Sequence, residues 1–361
     1  MAVLPYSTVL LIITFSAIPM SRSFQWWSPP SWVILAGSVL TLLCLPVAVR
    51  FLARGSPGEV NLATFFSIFV FASAIDVIVS LENDGILANY MSFYLSKGEP
   101  YLGTAYSTAI CYWDGIVHFL LYWAMLHYFS KGKACFRAVG LYWFGSFFIS
   151  CVILMLGTLI GPFPVYPPIL LNLPYVLLPV FFLCWLLSTT KPLTPQSSSF
   201  STCAWESIVQ GIFIVFFICS IGVALLKGLI ALGADREIFR YYENQIEQPI
   251  NHAHGYGRIT SLVYAFYGLP FYVYALFCLV RNKKSPGLVD ASLLYAGVAA
   301  NAQVGYTGPY LRQSEDYVLE FAQDWMWWAF WITNATISIV PHIFAFYCYQ
   351  PYVQAAKRKS R

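Results

Sequence analysis

Ser207-Ile-Val-Gln-Gly-Ile-Phe-Ile-Val-Phe-Phe-Ile-Cys-Ser-Ile-Gly-Val-Ala-Leu-Leu-Lys-Gly-Leu-Ile-Ala-Leu232 carries a single charged residue, Lys227. A bilayer helix needs about 20 consecutive apolar residues. This stretch supplies them without the alternation that a barrel strand of about ten residues would show. It therefore reads as a transmembrane helix, and the chain holds more like it. Candidate spans lie at 7–20, 31–53, 61–82, 105–129, 138–160, 167–187, 207–232, 258–280, 288–306 and 325–350. No Lys or Arg precedes the first, so it reads as a span and not as a signal peptide.

Composition agrees. Of 361 residues 59% are hydrophobic and 10% charged, against about 45–50% and 25% in soluble domains. So few charges cannot clothe a water-facing surface. A soluble enzyme, a nucleic-acid binder and a disordered scaffold are excluded. The fold class is an all-α polytopic membrane protein of about ten helices. Aromatic residues, at 18%, point to interface belts or an aromatic-lined cavity.

The 20 Lys+Arg residues set the orientation. With the N-terminus cytosolic, thirteen fall in cytosolic segments and six opposite, leaving Lys227 inside a span. The positive-inside rule then puts both termini in the cytosol. The ending Lys357-Arg358-Lys359-Ser360-Arg361 has the pattern of a dilysine retrieval signal, or of a basic cluster touching anionic lipid.

The chain divides as two N-terminal helices (1–56), a four-helix unit (57–188), a Ser/Thr/Pro-rich linker (189–206), a second four-helix unit (207–350) and a basic tail (351–361). Four spans per unit leave both units in the same orientation, as parallel repeats. Asn172-Leu-Pro-Tyr-Val-Leu-Leu-Pro179 and Asn334-Ala-Thr-Ile-Ser-Ile-Val-Pro341 echo one another at corresponding places.

Ionisable groups inside a membrane are expensive and mark functional sites. The first unit has Asp76, Asp114 and His118. Asp114 and His118 share a helix face at i, i+4, suited either to proton transfer or to a structural hydrogen bond. At about 1.5 Å per residue, Asp76, Asp114, Asn172 and Tyr175 lie roughly 9, 14, 8 and 12 Å from their lumenal helix ends. Three helices thus set polar groups at one depth, as around a single cavity. In the second unit, Lys227 near its helix end reads as a snorkelling cation. His252 and His254 share a loop with Glu243 and Glu247, but nothing completes a metal set, and neither metal nor cofactor is expected. Gly140, Gly145 and Ser146 read as close helix packing.

Gly98-Glu-Pro-Tyr-Leu102, Cys111-Tyr-Trp-Asp-Gly115 with His118, Gly140-Leu-Tyr-Trp-Phe-Gly-Ser146, Gly228-Leu-Ile-Ala-Leu232, Ala302-Gln303 and Pro341-His342 resemble, in order and over nearly the whole chain, the transmembrane 6 superfamily. Leu81–Gly85 lean to one member of it and the basic tail to another. The resemblance implies two EXPERA domains, the module shared with emopamil-binding protein (a sterol Δ8–Δ7 isomerase) and the sigma-2 receptor. It also implies residence in the endoplasmic-reticulum membrane, with the ER-Golgi intermediate compartment or the lysosomal membrane as alternatives. The implied role is in triglyceride secretion and lipid-droplet content.

By the same resemblance, the isomerase's first-helix His and Glu correspond to Asp76 and Ser80. Its second-helix Glu corresponds to Asp114, and its fourth-helix Asn and Trp to Asn172 and Tyr175. Asp76, Asp114 and His118 become candidate acid–base groups. Tyr112, Trp113, Asn172 and Tyr175 become candidate ligand contacts, the aromatic faces serving a carbocation. Because Asp is shorter than Glu, binding of a sterol-like or other neutral lipid is expected ahead of catalysis. Sterol isomerisation through Asp76 and Asp114 is the alternative. Membrane lipids are the other expected partners, and nucleic acid is not one.

Overall fold

The computed structural model describes residues 4–27, 29–191, 200, 204–312 and 317–359. It is a multi-pass α-helical protein, and among the described residues strand is confined to two paired dipeptides, Leu4–Pro5 and Ala53–Arg54. Every predicted span coincides with a helix. The first three are α1 (Tyr6–Trp27), α2 (Ser31–Leu52) and α3 (Pro57–Asn83). After a short loop helix, α4 (Ser92–Lys97), come α5 (Ala105–Ser130), α6 (Cys135–Ile160) and α7 (Pro167–Thr189). The remainder is α8 (Ala204–Ala231), a second loop helix α9 (Glu237–Gln245), α10 (Tyr256–Val280), α11 (Pro286–Leu311) and α12 (Asp324–Lys359). The sequence reading did not foresee α4 and α9. The predicted linker falls largely at 192–199 and 201–203, outside the described residues, as do the last two residues of the tail. The backbone of α12 runs on into the predicted tail as far as Lys359.

Local chemistry fixes several helix starts. Ser56 accepts from the Glu59 N–H while the Glu59 carboxylate accepts from the Ser56 N–H, with Pro57 at the first turn. That reciprocal cap satisfies donors the helix itself cannot use. Ser285 caps α11 ahead of Pro286 in a similar way. Both α5 and α10 widen into a π-turn, at Trp113–His118 and Tyr264–Gly268. In α10, Pro270 follows the turn and has no N–H to keep the regular ladder. In α5, the freed Asp114 carbonyl accepts from Ser73 Oγ of α3 at 3.0 Å.

Among the described residues, eight helices are long and apolar enough to cross a membrane. Their outward faces carry large apolar side chains, such as Phe181 at 66% exposure, which lipid would cover. The helices α1 and α11 have spanning length but are not among the eight. Much of α11 is buried, and it carries Asn301 and Gln303 inside the protein.

That helix sits at the centre because it packs closely on α6. A Cβ on Gly145 of α6 would stand 2.0 Å from the Leu294 carbonyl of α11, and one on Gly297 of α11 would stand 2.1 Å from the Tyr142 carbonyl of α6. The contact is reciprocal and tolerates glycine alone at both points. Nearby, Tyr106 of α5 stacks on Tyr256 of α10, with centroids 4.0 Å apart and planes at 5°. At the far end of the seam, Arg137 reaches Asp290 at 2.6 Å and the Thr190 carbonyl at 2.9 Å. The helices α3, α5, α6 and α7 thus lie on one side of this seam, with α8, α10, α11 and α12 on the other, while α1 and α2 pack on α3.

Candidate functional site

A cavity of about 680 Å³ opens among α1, α2, α3, α5, α6 and α7. Its wall is mostly apolar, with Phe69, Phe71, Tyr122, Phe147 and Leu154 among the lining residues. Into this wall are set Asp76 of α3, Glu99 of the loop before α5, Asp114 of α5, Ser150 of α6, and Asn172 and Tyr175 of α7. Four residues expected at one depth, Asp76, Asp114, Asn172 and Tyr175, therefore line one hollow.

Asp114 is held rigidly. Gly115 lies so close to α3 that a Cβ there would be 2.8 Å from the Ser73 carbonyl, which locks the π-turn and aims its neighbour. Ser150 Oγ donates to Asp114 Oδ2 at 3.1 Å, and Oδ1 lies 2.9 Å from His118 Nδ1. His118 is fully buried, with Nε2 2.7 Å from Ser146 Oγ. Ser146 Oγ also accepts from Trp113 Nε1 at 3.0 Å. Trp113, Ser146, His118 and Asp114 thus follow one another in contact, ending at the cavity wall. His118 acts through Asp114 and is not itself among the lining residues.

Asp76 is different. It lines the cavity, and no hydrogen bond to its carboxyl forms among the described residues. Ser80, one turn on, donates instead to the Thr108 carbonyl at 3.2 Å.

Tyr112 and Trp113, expected as ligand contacts, lie elsewhere than Asp114. Neither lines the cavity. Tyr112 donates to Asp84 at 2.6 Å on the outer surface, and Trp113 turns toward α6 to reach Ser146. Only one residue of the turn's first half can face inward, and Asp114 takes that place.

Glu99 was quoted above only as part of a motif. It is 6% exposed and lines the cavity. Tyr94 Oη donates to it at 2.5 Å, Asn172 Nδ2 at 2.7 Å, and Tyr101 Oη also donates. Burial raises its pKa above the ordinary carboxylate range, and the three donors pull partly against that.

The snorkelling expected of Lys227 is also corrected. It is 1% exposed, with Nζ 2.9 Å from Glu247 Oε1, 3.1 Å from Asn334 Oδ1 and 4.6 Å from the centre of the Tyr306 ring. Glu247, fully buried, also accepts from Tyr306 Oη at 2.7 Å and Asn334 Nδ2 at 3.1 Å. An internal carboxylate outbids the interface because it offers the ammonium a full set of partners. Glu247 thus turns inward, away from any set with His252 and His254. A sequence signal for both glutamates existed: each follows a Tyr by five residues in its loop, as Tyr94/Glu99 and Tyr242/Glu247.

A family profile described as transmembrane 6 superfamily member 2-like, transmembrane domain, matches residues 14–197. Transmembrane 6 superfamily member 2 of Homo sapiens is 31% identical over 366 residues, covering 96% of this chain and 93% of the human one. The Mus musculus protein of the same name is 31% identical over 361 residues, covering 95% and 93%. No solved structure matches.

Proposed function

The chain belongs to the transmembrane 6 superfamily, and on that footing we propose that it is an endoplasmic-reticulum membrane regulator of neutral-lipid and sterol homeostasis. It acts by holding a sterol-like lipid in the cavity lined by Asp76, Asp114, Asn172 and Tyr175. The observation that carries this reading is the cavity itself. Its 680 Å³ falls within the roughly 300–1,000 Å³ of small-molecule sites, and it has their pattern of apolar walls with a few convergent polar groups. Asn172 and Tyr175 present hydrogen-bonding groups to a hydroxyl, and the aromatic wall covers a ring system. Both termini lie in the cytosol, and each set of four helices is one EXPERA unit.

The test is photolabelling in microsomes with a diazirine-bearing cholesterol analogue. Label should map to peptides of α3, α5 and α6 and be displaced by excess cholesterol. Label confined to the outer faces, or indifferent to competitor, would overturn the reading.

A second reading, sterol Δ8–Δ7 isomerisation, is favoured by the oriented Asp114–His118 pair. A proton is delivered to one alkene carbon, the cation forms on the other, and a proton is then taken from that carbon's far-side neighbour, so two acid–base groups are needed. Asp114 and Asp76 would serve. Expression in cells lacking that isomerase should then restore Δ7 sterols by mass spectrometry, and Asp114→Asn should abolish them.

A further inference from the structure

We infer that the cavity is entered sideways from the bilayer, through a slot between α1 and α2, and that its guest is a single-tailed amphiphile whose tail stays in that slot. This rests on the lipid-binding reading above and adds the route and the guest's orientation.

The cavity wall does not end at the four-helix set. It continues outward over Met20 and Ser21 of α1 and over Gly37, Ser38, Thr41 and Leu42 of α2. Both helices pack mainly on α3 and less on each other, which leaves a cleft between them. Its outer rim is hydrocarbon-facing, since Leu40 and Leu43 beside it are 63% and 64% exposed. The slot therefore opens to lipid and not to water.

Gly37 marks the passage. A Cβ built there meets nothing within 4 Å, whereas one at Gly145 or Gly297 would strike backbone. Gly37 serves no close helix contact. Gly211 and Gly222 are equally free, but they lie on α8, far along the chain from this wall.

The slot's chemistry chooses the part of the guest it holds. Ser21 Oγ donates to the Ile18 carbonyl and Thr41 Oγ1 to the Gly37 carbonyl, each at 2.9 Å. Their protons are committed to their own helices, so these two hydroxyls have nothing left to donate to a polar head. Groups without a hydrogen bond among the described residues lie deeper, at the Asp76 carboxyl, Asn172 Oδ1 and the Tyr175 hydroxyl. A guest with a hydrogen-bonding head and one hydrocarbon tail fits head-in and tail-out.

The experiment uses the full chain in phosphatidylcholine nanodiscs and two photoreactive cholesterol analogues, one with the diazirine on the ring system and one at the end of the side chain. The ring probe should label α3, α5 and α6, and the side-chain probe α1 and α2. Gly37→Trp and Ser38→Trp build into open or half-exposed positions, and either should slow labelling by the ring probe about tenfold with the melting temperature unchanged. If both tryptophan variants label at the wild-type rate, or the side-chain probe marks helices other than α1 and α2, the lateral route is overturned while competed ring-probe labelling still upholds the cavity. If neither probe reaches the inner wall, the lipid-binding reading itself falls.

Discussion

The two sides of the α6–α11 seam solve the same problem differently. Each buries a loop glutamate, Glu99 or Glu247, beneath tyrosine hydroxyls and the amide of an Asn on its last helix, Asn172 or Asn334. On the first helix of each set a further ionisable group stands in the wall beside that cluster or cavity. In the second set it is Lys227, whose ammonium completes the cluster and fills the space. In the first it is Asp76, which cannot pair with a carboxylate, and a cavity remains. A difference of sign separates a satisfied ionic cluster around Lys227 from an acidic cavity around Asp76.

The sharpest way to break this contrast is at Lys227. Removing one partner of a buried ion pair costs about 3–5 kcal/mol. Lys227→Met should therefore collapse thermal stability in detergent, and adding Glu247→Gln should recover much of it. Equal damage from the single and double variants would show that packing, and not charge, matters there. Next comes the seam. Gly297→Ala forces a methyl into the Tyr142 carbonyl, and overpacking of this kind costs about 1–3 kcal/mol. Lower yield and a lower melting temperature should follow, whereas Gly37→Ala should leave both unchanged. In the first set, Asp76→Asn removes a carboxyl that no protein group holds. It should shift stability by no more than about 0.5 kcal/mol while weakening competed sterol labelling several-fold.

The smallest effect concerns acidity. A carboxyl whose pKa is raised by folding contributes stability that is complete below its ordinary value and lost as pH rises through the raised one. For Glu99 the loss begins near the ordinary 4.5. The melting temperature should fall by about a degree or two between pH 4 and pH 7 more in the wild type than in Glu99→Gln. An identical pH profile for the two proteins would remove Glu99 as the source.

What could be read from residue order was whatever hydrocarbon forbids. Asp76, Asp114 and Asn172 stood out because a polar group in a span must have a reason, and their shared depth pointed to a common hollow. Glu99 was hidden because loops are presumed wet, and its burial is made by Tyr94, Tyr101 and Asn172 from three different elements. Lys227 was misread because its place near a helix end allows an escape to water, and its partner lies in a loop twenty residues on. Tyr112 and Trp113 were named for their aromatic faces alone, and they flank Asp114 where α5 widens. The local twist of a π-turn decides which neighbour of Asp114 faces in, and that follows from Gly115 meeting α3.

The modest apolarity of α11 has a bearing on how the molecule is made. A segment with Asn301 and Gln303 along it gains little from entering lipid alone, yet it ends pressed against α6, synthesised some 150 residues earlier. Its insertion therefore depends on meeting that older surface, where Gly145 and Gly297 let the two helices close. Errors at this contact would surface first as nascent chains seized by quality control, before any failure of the finished protein could be seen.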